Sequence, residues 1–134
     1  MTGNPLRGEV SVRMDGEDYV LRPSYEAITA VEDQTGQSIQ QLALAADEGA
    51  LQLKQAAIVV TEFVKAWGRE NDKPYFEKFS VRRISELLFQ EGLLKVNPRV
   101  ALALWQALTG GHVPGEANAA GTETTTTDGT PAAD

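Results

Sequence analysis

Two short runs of alternating residues, Val10 to Met14 and Glu17 to Leu21, flank the dipeptide Asp15-Gly16. Asp-Gly is a favoured two-residue hairpin turn, because both central positions need positive φ. A two-residue turn also fixes the pairing of the strands it joins. Met14 then faces Glu17, Val12 faces Tyr19 and Val10 faces Leu21. That register puts Val10, Val12, Met14, Tyr19 and Leu21 on one apolar face. The other face sets Arg13 against Asp18 and Glu9 against Arg22, both pairs opposite in charge. Each such pair is worth roughly 0.2–1 kcal/mol. Turn chemistry, apolar pattern and charge pattern agree on one register. A lone hairpin is marginal in water, so its apolar face needs a layer to lie on.

The rest of the body reads as helices that supply this layer. Pro23 ends the second strand, since it cannot donate to a ladder. Ser24 caps a helix from Tyr25 to about Gln34, with Tyr25, Ile28 and Val31 on its inner side and Gly36 as its stop. Ser38-Ile39-Gln40-Gln41 is a Ser-x-x-Gln capping box that opens a short helix carrying Ile39, Leu42 and Ala46. Leu53, Ala57, Val60, Val64 and Trp67 recur at spacings of three and four, which predicts a central helix from Ala50 to Trp67. Lys54, Thr61, Glu62 and Lys65 mark its polar side, and Gly68 its end. Arg69 to Phe79 reads as a polar connection. Ser80 caps a helix from Val81 to Gln90, stopped by Gly92. Asn97-Pro98 reads as an N-cap and first turn of a last helix reaching Leu108, with Val100, Ala101, Leu104, Trp105 and Leu108 inward. The expected fold is α+β and mostly α: an N-terminal hairpin packed on a bundle of about five helices.

The expected domain covers residues 1–111. Residues 112–134 hold one Val, no aromatic residue and four acids without a base. Such a segment cannot bury enough surface to offset its ordering entropy, so a disordered acidic tail is expected there. The whole chain carries a net charge of -7, of which the tail supplies -4. The near-balanced body has no basic stripe of the kind that neutralises phosphates, which argues against nucleic acid. The helices 81–90 and 98–108 could mimic a helix-turn-helix, but RVALALWQAL offers only Arg99 and Gln106 as polar readers. The chain contains no cysteine, which removes thiolate sites and fits a reducing compartment. No run approaches the roughly 18 apolar residues of a membrane span, and no leader pattern opens the chain. Cytoplasmic location is therefore expected.

Catalytic patterns do not emerge. The one histidine, His112, lies at the root of the tail, away from any arrangement that would hold an imidazole for acid–base or metal chemistry. Glu32-Asp33 and Asp47-Glu48 are adjacent on helices and so point in different directions. No phosphate-binding glycine motif appears. The expectation is a non-enzymatic protein with no cofactor and no metal. Aromatic and leucine residues next to loops carry the remaining signal: Phe76, Phe79, Phe89, Leu93 and Leu94. They either fold back onto the core or form an apolar patch that binds a protein partner.

Four stretches carry a family resemblance: N-P-L-R-G-E-V (Asn4 to Val10), D-G (Asp15, Gly16), L-R-P-S-Y-E-A-I (Leu21 to Ile28) and V-E-D-Q-T-G-Q-S-I (Val31 to Ile39). In this order and spacing they resemble the small tail proteins of gene transfer agents and long-tailed phages. The match is densest over residues 4–39, continues as a looser helical pattern to about 111, and leaves out the tail. The family is grouped with phage tail assembly chaperones and also carries a tail-tube label. The resemblance implies a chaperone that binds the tape-measure protein and the major tail (tube) protein, assists tube polymerisation in the host cytoplasm, and is absent from the finished particle. Self-association through the same apolar patches stays open. The alternative is a structural tail component retained in the particle. Tail-tube subunits are β-rich, whereas helices dominate here, which favours the chaperone.

Overall fold

The computed structural model describes residues 3–4 and 8–110. The expected disordered tail, with His112, lies outside the described residues. The chain runs β1 (Val10–Met14), β2 (Glu17–Leu21), α1 (Tyr25–Thr35), α2 (Ile39–Asp47), α3 (Leu53–Glu70), α4 (Pro74–Glu77), α5 (Val81–Glu91) and α6 (Leu93–Leu108). The architecture is α+β and mostly α, one antiparallel hairpin on a set of helices.

The hairpin has the register that its sequence dictates: Val10 opposite Leu21, Val12 opposite Tyr19, Arg13 opposite Asp18 and Met14 opposite Glu17. Asp15 and Gly16 both take positive φ, 52° and 74°. Arg13 and Asp18 pair at 2.8 Å, and Arg22 and Glu9 at 3.0 Å. Val10, Val12, Met14, Tyr19 and Leu21 are all buried. Fully burying one large aliphatic or aromatic side chain is worth about 1.5–3 kcal/mol, so the apolar face outweighs the charged one. Val20, on the opposite face, is buried as well. Gly3 crosses over it, held by a hydrogen bond from its N–H to Ser11 Oγ at 2.9 Å. Helices also hold the flanks of the sheet. Arg99 Nε of α6 donates to the Ser11 carbonyl at 2.9 Å, and the Arg22 N–H donates to the Phe63 carbonyl of α3 at 3.0 Å.

Central helix α3 packs on α1, α4, α5, α6 and β2, while α2 packs chiefly on α6. Its buried set is wider than the expected stripe. Thr61 and Glu62, read from sequence as solvent-facing, are buried. Thr61 satisfies its hydroxyl on the Ala57 carbonyl at 2.6 Å, and Glu62 accepts from Gln34 Nε2 of α1 at 2.7 Å. A polar residue of a helix with neighbours on most sides is buried with its hydrogen bonds made. Ser24, Ser38 and Ser80 cap α1, α2 and α5 as expected, with the full capping box at Ser38 and Gln41.

Four boundaries or exposures depart from the sequence reading. Helix α3 begins at Leu53, not Ala50, and passes through Gly68 to Glu70. Gly68 is a contact and not a stop: a Cβ there would meet the Lys73 carbonyl and Phe76 Cβ, both at 3.0 Å. The polar connection folds its middle into α4, which rests on that glycine. Helix α6 begins directly after Gly92 and contains Pro98. Asn97 does not cap it; its Nδ2 donates to the Ala46 carbonyl at 2.8 Å and ties α6 to the end of α2. Finally, Tyr25 and Leu108, expected inward, are 81% and 41% exposed.

Candidate protein-binding surface

The aromatic residues named above separate into two groups at the two ends of α5. The first is a cluster built by β2, α3 and α4. Phe76 is buried and meets Tyr19 edge-on at 6.0 Å and Trp67 edge-on at 5.5 Å between ring centroids. Phe79 is half-buried and meets Tyr19 at 5.5 Å and Tyr75 at 5.2 Å. Edge-to-face pairs of this kind add about 0.5–1.5 kcal/mol each beyond burial. Phe76 and Phe79 thus fold back onto the hairpin, which they help to cover.

One carboxylate faces this cluster. Glu17 Oε1 accepts from the Tyr19 hydroxyl at 3.1 Å and from the Tyr75 hydroxyl at 3.4 Å. Burial, reinforced by the Glu17 charge, pushes the Tyr19 phenol far above its ordinary range, and Tyr75 shifts the same way for the same reasons. Arg83, which lines the same groove as Tyr75, acts in the opposite sense on both phenols. The two phenols stay protonated, and they serve as donors to Glu17. Around the exposed side of the cluster, Tyr75, Lys78, Phe79, Ser80 and Arg83 line an open groove of about 570 Å³.

The second group surrounds Gly92. Phe89 is 77% exposed and Leu94 is 88% exposed, while Leu93 is half-buried against the core. Phe89 also forms one wall of a groove of about 580 Å³ with Leu53, Ser85, Glu86 and Gln90. From Val81 to Phe89, α5 rises about 12 Å at 1.5 Å per residue, which separates the Phe79 end from Phe89. The five residues singled out from sequence therefore form two sites and not one patch. Phe89 and Leu94 are its solvent-facing members; Phe76, Phe79 and Leu93 are largely structural.

Sequence reading missed the groove at Tyr75, Lys78 and Arg83. Its signal was present: residues 75–83, YFEKFSVRR, hold three cations, one acid and three aromatic residues. Ion pairs on α5 join Arg82 and Arg83 to Glu86 at 3.7 and 3.5 Å. Among the described residues there is no cluster of three or more His, Cys, Asp or Glu that could hold a metal ion, and no helix long and apolar enough to cross a membrane. Comparison with family models, with curated proteins and with solved structures gives no match.

Proposed function

We propose that the chain is a tail assembly chaperone of the phage and gene-transfer-agent type, a non-enzymatic protein that binds the tape-measure protein and assists tail-tube polymerisation in the host cytoplasm. The identity of the partners comes from the sequence resemblance over residues 4–39. The structural observation that carries a protein-binding role is the pair Phe89 and Leu94, more than three-quarters exposed on either side of Gly92. Large apolar side chains held out on adjoining helix ends are suited to an amphipathic helix of a client. Burying both gains roughly 3–6 kcal/mol at the usual 1.5–3 per side chain. Association costs of about 4–15 kcal/mol mean that further contacts are needed, and the groove beside Phe89 extends the surface.

The test is co-expression with the neighbouring tape-measure protein, followed by size-exclusion chromatography with light scattering. A joint soluble peak is expected, with the tape measure insoluble when expressed alone. Phe89→Ser with Leu94→Ser is expected to abolish the joint peak and to leave the melting temperature nearly unchanged, since neither side chain packs in the core. Rings or tubes formed by this protein alone, or its presence in purified particles by mass spectrometry, would instead establish the structural component.

A further inference from the structure

We draw no further inference here: the strongest candidate, the open groove at the α4–α5 corner lined by Tyr75, Lys78, Phe79, Ser80 and Arg83, sets its cations against Glu17, Glu77 and Glu86, so nothing in the structure shows what covers it.

Discussion

Two glycine turns meet in this molecule, and they have opposite fates. Gly16 turns β1 into β2, and Gly92 turns α5 into α6. Glu91 joins them: its Oε1 accepts from the Asp15 N–H at 3.0 Å, and its Oε2 pairs with Lys95. Around Gly16 the side chains are committed to the chain itself, with Met14 fully buried and Arg13 paired with Asp18. Around Gly92, Phe89 and Leu94 point away from the core. The same kind of reversal thus closes the fold in one place and presents apolar surface in the other. The difference comes from what lies behind each turn. The hairpin is two strands thick and needs helices on its face, whereas α5 and α6 already bury Ile84, Leu87, Leu88, Val96 and Val100 on their inner sides and have residues to spare.

The largest expected effect tests that contrast directly. Met14→Ala, at a fully buried position, is expected to cost about 2–5 kcal/mol through lost transfer energy and a cavity. Leu94→Ala removes a similar volume at 88% exposure and is expected to change stability by no more than about 0.5 kcal/mol. Urea denaturation of the two variants measures both. A costly Leu94→Ala would mean that the corner is structural, and the case for a binding surface there would fail.

How far each region could be read from sequence follows from the same contrast. At the hairpin, Asp15-Gly16, the alternating valines and the Arg13–Asp18 pair are independent local signals, and they agree. Helix starts were equally legible where one side chain does the capping, as at Ser24, Ser38 and Ser80. Glycine and proline misled at α3 and α6 because one letter serves two purposes. Gly68 is required by the close approach of α4 and not by a helix end. Pro98 is the sixth residue of α6 and lies past its first turn, where it withholds an N–H from the Leu94 carbonyl instead of opening the helix, while Asn97 is taken by Ala46. The burial of Glu62 needed Gln34, 28 residues away, and the burial of Phe76 needed Tyr19 and Trp67. Such contacts are set by tertiary packing, which no local pattern encodes. Of the candidate surface, Phe89 and Leu94 were legible as excess apolar residues beside a stop, but their separation from Phe76 and Phe79 was not.

A middle-sized effect separates the turns by backbone alone. A Cβ at Gly16 or at Gly92 would meet nothing within 4 Å, so substitution there acts through φ and ψ. Gly16 has φ +74°, close to the left-handed region that Asn and Asp also visit. Gly92 has φ 98° and ψ 117°, outside it. Gly16→Ala is expected to cost about 1 kcal/mol, and Gly92→Ala about 1–3 kcal/mol. Thermal melts of the pair rank them. If Gly92→Ala proved the milder, the α5–α6 connection would have another conformation within easy reach, and Phe89 and Leu94 would not be held in a fixed arrangement.

The smallest effect concerns the link between the turns, and it has a definite sign. The Lys95 ammonium and the Asp15 N–H both favour ionised Glu91 and hold its carboxyl below the ordinary value of 4.5. A carboxyl with a depressed folded pKa stabilises the fold fully above its unfolded value, and the contribution is lost as pH falls through the folded one. Glu91→Gln is therefore expected to lower the melting temperature slightly at pH 7. The gap between wild type and variant is expected to close as pH falls below the ordinary carboxylate range. Salt divides the contribution further, because the exposed Lys95 pair is screened whereas the hydrogen bond from the Asp15 N–H is a short-range contact. A gap that survives high salt and disappears in acid assigns the effect to the Asp15 contact, and the hairpin turn is then anchored by the helix corner. A gap that salt removes leaves only the Glu91–Lys95 pair across the α5–α6 junction, and the two turns stand as independent units.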